Sequence, residues 1–202
     1  MDDAMLGALI VAQNPYRIHE MADHAASWQR MSDWLCDPRV SRHYGGEHYR
    51  FSPEQARAHY RPRVLGTEPV QGSFLVWQER AVGFLQYYEV PDPMDYQISP
   101  DEVEQEGLWA LDLFIGEPEL WGQGHGRAFI SLMVTHLFES CGASRVWIDP
   151  FVGNTRAIRA YQACGFEPIK RLIAHEEHDV VMQDCLLMCH GRLIYDFDRN
   201  EA

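Results

Sequence analysis

The chain has 202 residues, of which 46% are hydrophobic and 12% aromatic, and this predicts one domain with its own core. Its formal net charge of −13 argues against a nucleic-acid partner, because phosphates demand a basic face. The apolar run at 5–12 is too short to span a bilayer, and it follows acidic residues where a signal peptide carries basic ones. The five cysteines are scattered and favour a reducing compartment, so we expect a cytoplasmic protein. Because the apolar run is short, we expect no membrane partner.

Hydrophobic periodicity and capping residues predict a series of strands and helices. In chain order we predict a strand at 16–22, a helix at 24–37, a helix beginning at Pro53, a hairpin of 73–78 and 81–90, a strand at 107–116, a helix at 127–142, a strand at 145–150, a helix at 154–166 and a strand at 179–189. Residues 1–15 are predicted to be an N-terminal extension. Since no internal repeat or linker divides the chain, we predict a single domain over 1–202.

The stretch between Arg80 and Arg127 is strongly acidic, because it contains many Asp and Glu residues and no Lys or Arg. Within it, residues 91–106 are so rich in Pro and acid that we predict a long inserted loop, and such loops are often functional. Two interpretations of the acidic stretch stay open: a solvated surface, or an attractor for a polycation.

The segment WGQGHG at 121–126 places three alternate glycines between a predicted strand and a predicted helix. Glycines let successive backbone N–H groups converge on an anion at a helix N-terminus, where the macrodipole also favours negative charge. The spacing excludes a P-loop, which needs Lys after its last glycine, and a dinucleotide fingerprint, which needs glycine where this chain has Arg127. A turn that only reverses the chain is the alternative to a phosphate-binding loop.

Two blocks of the sequence resemble the GCN5-related N-acetyltransferase (GNAT) superfamily. WGQGHG is similar to the superfamily's pyrophosphate loop, Arg/Gln-x-x-Gly-x-Gly/Ala, and matches both glycines, although Trp121 stands at the first position. The helix block Asn-x-x-Ala-x-x-x-Tyr-x-x-x-Gly-Phe is matched at every fixed position, by Asn154, Ala157, Tyr161, Gly165 and Phe166. The resemblance implies an α/β (α+β) fold, in which a central mixed and mostly antiparallel sheet is splayed and carries helices on both faces.

Three further segments, DWLCDPRVSRHYGGE, GFLQYYEV and DPFVGNTRAIRAY, look like those of the aminoglycoside 6'-N-acetyltransferases, and the likeness spans roughly residues 16–185. It implies that acetyl-CoA, as co-substrate, gives its acetyl group directly to the 6'-amine of an aminoglycoside in a ternary complex, a reaction that confers antibiotic resistance. Another cationic amine, such as a polyamine, a basic peptide or a siderophore precursor, stays open as the acceptor. A non-catalytic acyl-CoA-binding sensor is the alternative from a different class.

The resemblance also implies which residues hold the cofactor. The backbone of Phe114 and Ile115 pairs with the pantetheine arm, and a backbone N–H there polarises the thioester. The pyrophosphate is held by the glycine loop, through Gln123, Gly124, His125, Gly126 and Arg127. Asn154 and Ala157 contact the cofactor from the helix block.

Two residues carry the predicted chemistry. Asp112 interrupts a buried strand, and the resemblance assigns it the family's catalytic aspartate. A carboxylate with a pKa of about 3.9 is a poor base for an ammonium with a pKa of about 10. Either the pKa of Asp112 is raised in the folded protein, or a water molecule relays the proton. Two roles therefore stay open for Asp112: general base, or group that orients the amine. Tyr161, two helical turns after Asn154, is predicted to protonate the leaving thiolate, and a tyrosine of the core is the alternative.

Substrate binding is assigned to acidic and amide side chains, namely Gln86, Asp112, Asp149 and Glu176. Asp149 matches a second acidic position of the resembled enzymes, and its expected role is a salt bridge to substrate amines. Glu176 falls near a third such position, and the alternative for Glu176 and Glu177 is a solvated turn ahead of the last strand.

Three residues near the C-terminus suggest a metal corner. Cys185, Cys189 and His190 lie close in sequence, but no second Cys or His pair with ligand spacing accompanies them. Because zinc needs three or four protein ligands and alternation in a terminal strand explains these residues better, we predict no metal.

Overall fold

The computed structural model describes residues 3–48, 50–103 and 106–191, in which one eight-stranded sheet forms the centre of the protein. The strands are β1 (Leu6–Gln13), β2 (Tyr16–Met21), β3 (Gln71–Trp77), β4 (Arg80–Glu89), β5 (Leu108–Ile115), β6 (Arg145–Ile148), β7 (Glu167–His178) and β8 (Val181–Gly191). The helices are α1 (Ala25–Leu35), α2 (Pro38–Ser41), α3 (Pro53–Val64), α4 (His125–Ser140) and α5 (Thr155–Ala163). The strand order is β1-β2-β3-β4-β5-β6-β8-β7, and every neighbouring pair is antiparallel except β5–β6. This confirms the predicted mixed, mostly antiparallel sheet.

Two strands were absent from the predicted set, and both lie at edges of the sheet. The predicted N-terminal extension contributes β1, and β7 forms the opposite edge. Neither segment shows a clean apolar alternation, because β1 is an almost continuous apolar run without charged residues and β7 carries many charged residues, as edge strands often do. Glu176 and Glu177 lie within β7 and not in a turn. The turn follows them at Asp179 and Val180, which both have positive φ.

Helices cover both faces of the sheet. α4 and α5 pack on one face through a cluster that includes Leu75, Phe129 and Met133. α1 and α3 pack on the other face through a cluster that includes Phe74 and Met31. Phe74 and Leu75 are adjacent in β3, so the alternation of side chains along a strand assigns them to opposite clusters. In the described ranges, no helix combines the length and the apolar character needed to cross a bilayer.

The described part of the acidic insertion, residues 91–103, is anchored to the sheet. Pro93–Tyr96 forms a 3₁₀ turn, and Tyr96 and Ile98 are buried in a cluster with residues of β5, β6, β7 and β8. The hydroxyl of Tyr96 lies 2.6 Å from the hydroxyl of Tyr88 on β4. The insertion therefore has a packed inner side as well as a solvated acidic one.

β5 and β6, the parallel pair of the sheet, part after a short run. They pair over only three residues of each strand, whereas β5 continues to Ile115 and keeps its antiparallel partner β4 throughout. The N–H of Gly116 donates to the carbonyl of Val82 at 2.9 Å, so the backbone groups of Gly116 face β4. Backbone groups of successive residues in a strand point to opposite sides, and those of Leu113 and Ile115 therefore point away from β4. Those groups face the gap that opens between β5 and β6.

Gly116, directly after β5, has no room for a side chain. A Cβ at this position would lie 2.3 Å from ring atoms of Trp34, which is buried on α1. We expect Gly116→Ala to lower the free energy of unfolding by about 2–3 kcal/mol, because the ring and the strand end must both shift. Urea denaturation measures the loss. Gly72→Ala in β3 is the control, since its Cβ would meet ordinary contacts of 3.4–3.8 Å, and equal losses in both variants would contradict the explanation.

Candidate active site

A groove of about 360 Å³ lies where β5 parts from β6, and we call it the β5 groove. It is bordered by the end of β5, the start of α4 and one side of α5. Residues predicted to hold the cofactor line it from all three elements, namely Phe114, Ile115, Gly124, His125, Gly126, Arg127, Asn154 and Ala157. Gln123 is outside this lining, and its side-chain amide donates to the carbonyl of Glu119 at 2.5 Å.

The loop before α4 is shaped by two left-handed glycines. Gly122 and Gly124 have φ of 75° and 90°, and α4 begins directly after Gly124. Residues with a Cβ adopt this conformation at a cost, which explains glycine at both positions. The first N–H groups of α4, at 125–127, have no acceptor within the helix and lie at the positive end of its dipole. The backbone therefore offers several donors to an anion in the β5 groove.

The imidazole of His125 is occupied elsewhere. Its Nδ1 lies 3.1 Å from the hydroxyl of Tyr16, and its ring centre lies 4.5 Å from that of Trp77. His125 is 7% exposed. What this residue offers the groove is its backbone N–H.

An arginine that motif comparison does not reveal completes the groove. The guanidinium carbon of Arg156 lies 4.0 Å from the centre of the Trp121 ring. Trp121 donates from Nε1 to the carbonyl of Ile115 at 2.9 Å, which fixes the ring at the end of β5. Trp121 stands where the resembled pattern has Arg or Gln. The guanidinium of Arg156, from α5, stacks on the Trp121 ring and supplies a positive charge beside the loop. The signal in the sequence is an arginine in the first turn of the matched helix block.

α5 places two predicted residues between the β5 groove and a second cavity. Asn154 caps the helix, and its Oδ1 accepts from the N–H of Ala157 at 3.2 Å. Tyr161 follows seven residues later on the same face and is 7% exposed. Burial raises the pKa of the Tyr161 hydroxyl, so this group keeps its proton at neutral pH.

The second cavity, of about 310 Å³, is rich in acidic side chains, and we call it the acidic cavity. It meets the β5 groove at four shared residues, His43, Leu113, Asn154 and Tyr161. All of the predicted substrate residues line it, namely Gln86, Asp112, Asp149 and Glu176. The structure thus brings the predicted substrate residues to one space that adjoins the predicted cofactor residues.

Asp112 reaches the acidic cavity from β5 and is held by its neighbour across the sheet. Its Oδ2 accepts from Nε2 of Gln86, its partner on β4, at 2.9 Å. Oε1 of Gln86 accepts in turn from Nη1 of Arg63 at 2.7 Å. Burial, reinforced by the charges of Asp149 and Glu176, raises the pKa of Asp112 to about 7 against the opposing effects of Gln86 and Arg63. The carboxyl group therefore changes its charge near neutral pH.

Asp149 follows β6 and is paired with a histidine. Its Oδ2 lies 3.1 Å from Nε2 of His175 on β7. The hydrogen bond to Asp149 raises the pKa of His175, whereas burial raises the pKa of Asp149. Oε2 of Glu176 lies 3.3 Å from Nε2 of His178. The HEEH segment of the sequence is the signal for both histidines, which lie beside the carboxylates of Asp149 and Glu176.

The tip of the β7–β8 hairpin is tied to the loop that precedes α3. The carboxylate of Asp179 accepts from the backbone N–H groups of Glu47 and His48 at 2.7 Å each, and its N–H donates to the carbonyl of Gly45 at 3.1 Å. A Cβ on Gly46 would lie 2.4 Å from Cγ of Asp179, so glycine is required there. Residues of both segments line the acidic cavity, which this hairpin tie closes on one side.

One group of metal-ligand type occurs in the part of the chain that the structure describes. It consists of Asp149, Glu176 and Cys185, whose ligand atoms lie within 4.8 Å of one another. The grouping differs from the corner considered in the sequence, because Cys189 and His190 are not part of it. Burial raises the pKa of the Cys185 thiol, which opposes the deprotonation that zinc binding requires. That the protein uses no metal stays a prediction.

Comparisons with known proteins identify the family and a similar fold. The family described as Acetyltransferase (GNAT) domain matches residues 23–173. The chain is 27% identical over 135 residues to the Aminoglycoside N(6')-acetyltransferase type 1 of Klebsiella pneumoniae, and the match covers 67% of this chain and 66% of that relative, just under two thirds of its length.

Two solved structures are similar in fold. One is AAC(6')-Ib in complex with ribostamycin and coenzyme A, at a TM-score of 0.70 and 22% identity, covering 94% of this chain and 100% of that chain. The other is a spermidine N-acetyltransferase from Vibrio cholerae in complex with CoA and spermine, at a TM-score of 0.68 and 15% identity, covering 88% of this chain and 95% of that chain. At these identities the solved structures establish a likeness of fold alone. The family match, in contrast, extends over most of the chain and includes β5, the glycine loop and α5, and on this ground the chain belongs to the GNAT family of acetyltransferases.

Proposed function

We propose that the protein transfers an acetyl group from acetyl-CoA to the 6'-amine of an aminoglycoside. The observation that carries the proposal is the meeting of the β5 groove and the acidic cavity at Tyr161. The groove offers backbone N–H groups, Arg127 and Arg156 to phosphates, and the cavity offers carboxylates to amines. The similarity to the Klebsiella pneumoniae relative supports an aminoglycoside as the acceptor.

The biological setting is part of the same proposal. Acetylation of an antibiotic amine removes a positive charge from the drug, so antibiotic resistance is the proposed outcome. The proposed compartment is the cytoplasm, where acetyl-CoA is available. Five free cysteines support a reducing environment.

The proposed chemistry is direct attack in a ternary complex. The acceptor nitrogen forms a bond to the thioester carbonyl carbon, and the carbon–sulfur bond breaks. Asp112 orients the amine and takes its proton, directly or through a water, and the Tyr161 hydroxyl gives a proton to the departing thiolate. A backbone N–H of β5 donates to the carbonyl oxygen as negative charge develops. Of the predicted pair Phe114 and Ile115, only Ile115 directs its backbone groups to the gap; those of Phe114 face β4, and Leu113 takes the second position. The acceptor ammonium thus loses two protons for each acetyl group transferred: one ends on the sulfur of the released thiol and the other goes to solvent.

A linear polyamine is the second candidate acceptor. It is supported by the similarity to the spermidine N-acetyltransferase from Vibrio cholerae, whose structure contains spermine. The carboxylates of the acidic cavity suit any multiply charged amine, including a basic peptide or an amine precursor of a siderophore. A non-catalytic acyl-CoA sensor is the weaker proposal, because it has no use for an acidic cavity that adjoins the β5 groove and suits a second, cationic ligand.

A panel of acceptors tests the proposal. Release of free thiol from acetyl-CoA is measured with neomycin, paromomycin, spermine, N6-hydroxylysine and a basic peptide. Neomycin and paromomycin differ at the 6' position, amine against hydroxyl, so we expect turnover with neomycin and none with paromomycin. Turnover on spermine and not on neomycin would transfer the assignment to a polyamine. Binding of acetyl-CoA without turnover on any amine would favour the sensor.

The role of Asp112 predicts a pH profile. The kcat/KM for the acceptor should fall about tenfold per pH unit below pH 7, because the carboxylate form is lost there. Asp112→Asn should lower kcat by at least about 100-fold and remove this limb. Rates of thiol release from pH 5 to pH 9 measure both effects.

Protein stability separates this role from a structural one. The pKa of Asp112 is raised on folding from 3.8 to about 7, so its contribution to stability is fully present below 3.8 and is lost as the pH rises towards 7. Asp112→Asn should therefore raise the midpoint of thermal unfolding at pH 8 while it removes activity. Loss of activity together with a lower midpoint at pH 8 would point to damage of the fold.

Arg156 is predicted to bind the cofactor. Arg156→Ala should raise the KM for acetyl-CoA about tenfold and leave kcat within about twofold, because it removes one charge-assisted contact to phosphate. Steady-state kinetics at saturating acceptor measure both constants. Arg171→Ala is the matched control, since that guanidinium pairs with Asp184 on β8 at 2.7 Å and lines neither cavity. A fall in kcat at unchanged KM would contradict the assignment.

A further inference from the structure

We propose that Arg63 is a positioning residue for Asp112, because it holds the side-chain amide of Gln86 in the orientation that donates a hydrogen bond to the Asp112 carboxylate. The inference rests on the proposed function for the part that Asp112 plays in turnover. Arg63 lies on α3, outside the glycine loop and the helix block, and it acts on Asp112 through a neighbour.

The direction of the two hydrogen bonds follows from the groups that make them. A guanidinium has donors only, so Nη1 of Arg63 meets the amide oxygen of Gln86, at 2.7 Å. The amide nitrogen then faces Oδ2 of Asp112, at 2.9 Å. An amide nitrogen donates and an ionised carboxylate accepts, so this orientation favours the charged form of Asp112. A flipped amide would turn its oxygen towards Asp112 and would favour the protonated form.

Arg63 is itself held in place by its own surroundings. Its side chain is 19% exposed, and its Nε lies 3.5 Å from Oε2 of Glu68. Its guanidinium carbon lies 5.1 Å from the ring centre of Tyr60, which is buried. Gln86 lies directly opposite Asp112 in the β4–β5 register, so its amide spans the distance between Arg63 and Asp112.

The other groups around Asp112 act in the opposite direction. Six titratable groups interact electrostatically with it, namely Asp149 after β6, Glu176 of β7, Tyr88 of β4, Tyr161 of α5, Tyr96 of the acidic insertion and Arg63 of α3. His43, His59, Glu177 and His178 line the same cavity. His175 acts on one of these acids, Asp149, by a hydrogen bond. Of the six groups, Arg63 alone carries a positive charge. Without the Gln86 bond, burial and like charge would raise the pKa of Asp112 further.

The experiment follows the ionisation of Asp112 directly. The full chain is labelled with carboxyl-¹³C aspartate, and the Asp112 signal is assigned by its loss in Asp112→Asn. We expect Arg63→Met to raise the NMR titration midpoint of Asp112 by about one pH unit. The acidic limb of kcat/KM should move by the same amount, and turnover should recover at high pH. A merely structural role would lower turnover equally at every pH and leave the midpoint in place.

Three further variants sharpen the test. Arg61→Met, on the same helix, removes a guanidinium whose Nε contacts Asp23 at 2.6 Å, and it should leave the Asp112 midpoint unchanged. Arg63→Lys keeps a cation with donors only, so it should restore most of the wild-type midpoint. Gln86→Leu removes the donor and should raise the midpoint as Arg63→Met does. It also carries the test if Arg63→Met does not fold.

The outcomes separate this inference from the proposed function. An unmoved Asp112 midpoint in Arg63→Met or Gln86→Leu overturns the inference and leaves the proposed function intact. Fully additive shifts in the Arg63→Met, Gln86→Leu double variant also overturn it, because they mean that Arg63 acts without Gln86. Full turnover by Asp112→Asn overturns the proposed base, whereas the NMR midpoint still decides whether Arg63 controls the carboxyl group.

Discussion

The parting of β5 and β6 is the constraint on which the rest of the site depends. A parallel pair that separates after three residues leaves β5 with backbone groups that the sheet does not satisfy, and such groups need partners. Trp121 provides one for the Ile115 carbonyl, and Leu113 faces the point where the β5 groove meets the acidic cavity. If β6 followed β5 to its end, the sheet would close the space that the start of α4 and one side of α5 now border.

The buried carboxyl groups beside the gap between β5 and β6 cost free energy of folding. A buried charge is costly unless it is paired; Asp112 accepts a hydrogen bond from neutral Gln86, and Asp149 is paired with His175. Their raised pKa values express the rest of that cost. A cationic amine in the acidic cavity would supply the missing partner, so the folded protein is expected to be more stable with such a ligand than without it.

Sequence reasoning is strongest where a relation lies within one element. Asn154 and Tyr161 are seven residues apart, and the period of a helix places them on one face, as the structure shows. Arg63 and Gln86 lie on a helix and a strand 23 positions apart, and tertiary packing alone brings them together. β7 escapes prediction for another reason. It is an edge strand with many charged residues, and its pattern resembles that of a solvated segment.

The hairpin tie has a consequence for the order in which the two ligand spaces form during synthesis. Every residue that lines the β5 groove precedes position 164, so all of them have been translated before β7 begins. The acidic cavity lacks one wall until Asp179 reaches Glu47 and His48, which lie 132 and 131 positions earlier in the chain. Because chains fold as they emerge, the segments that border the β5 groove are available to assemble first. A transcript that ended between α5 and the hairpin would encode every residue that lines the groove and would lack the wall of the acidic cavity that β7 and the hairpin provide.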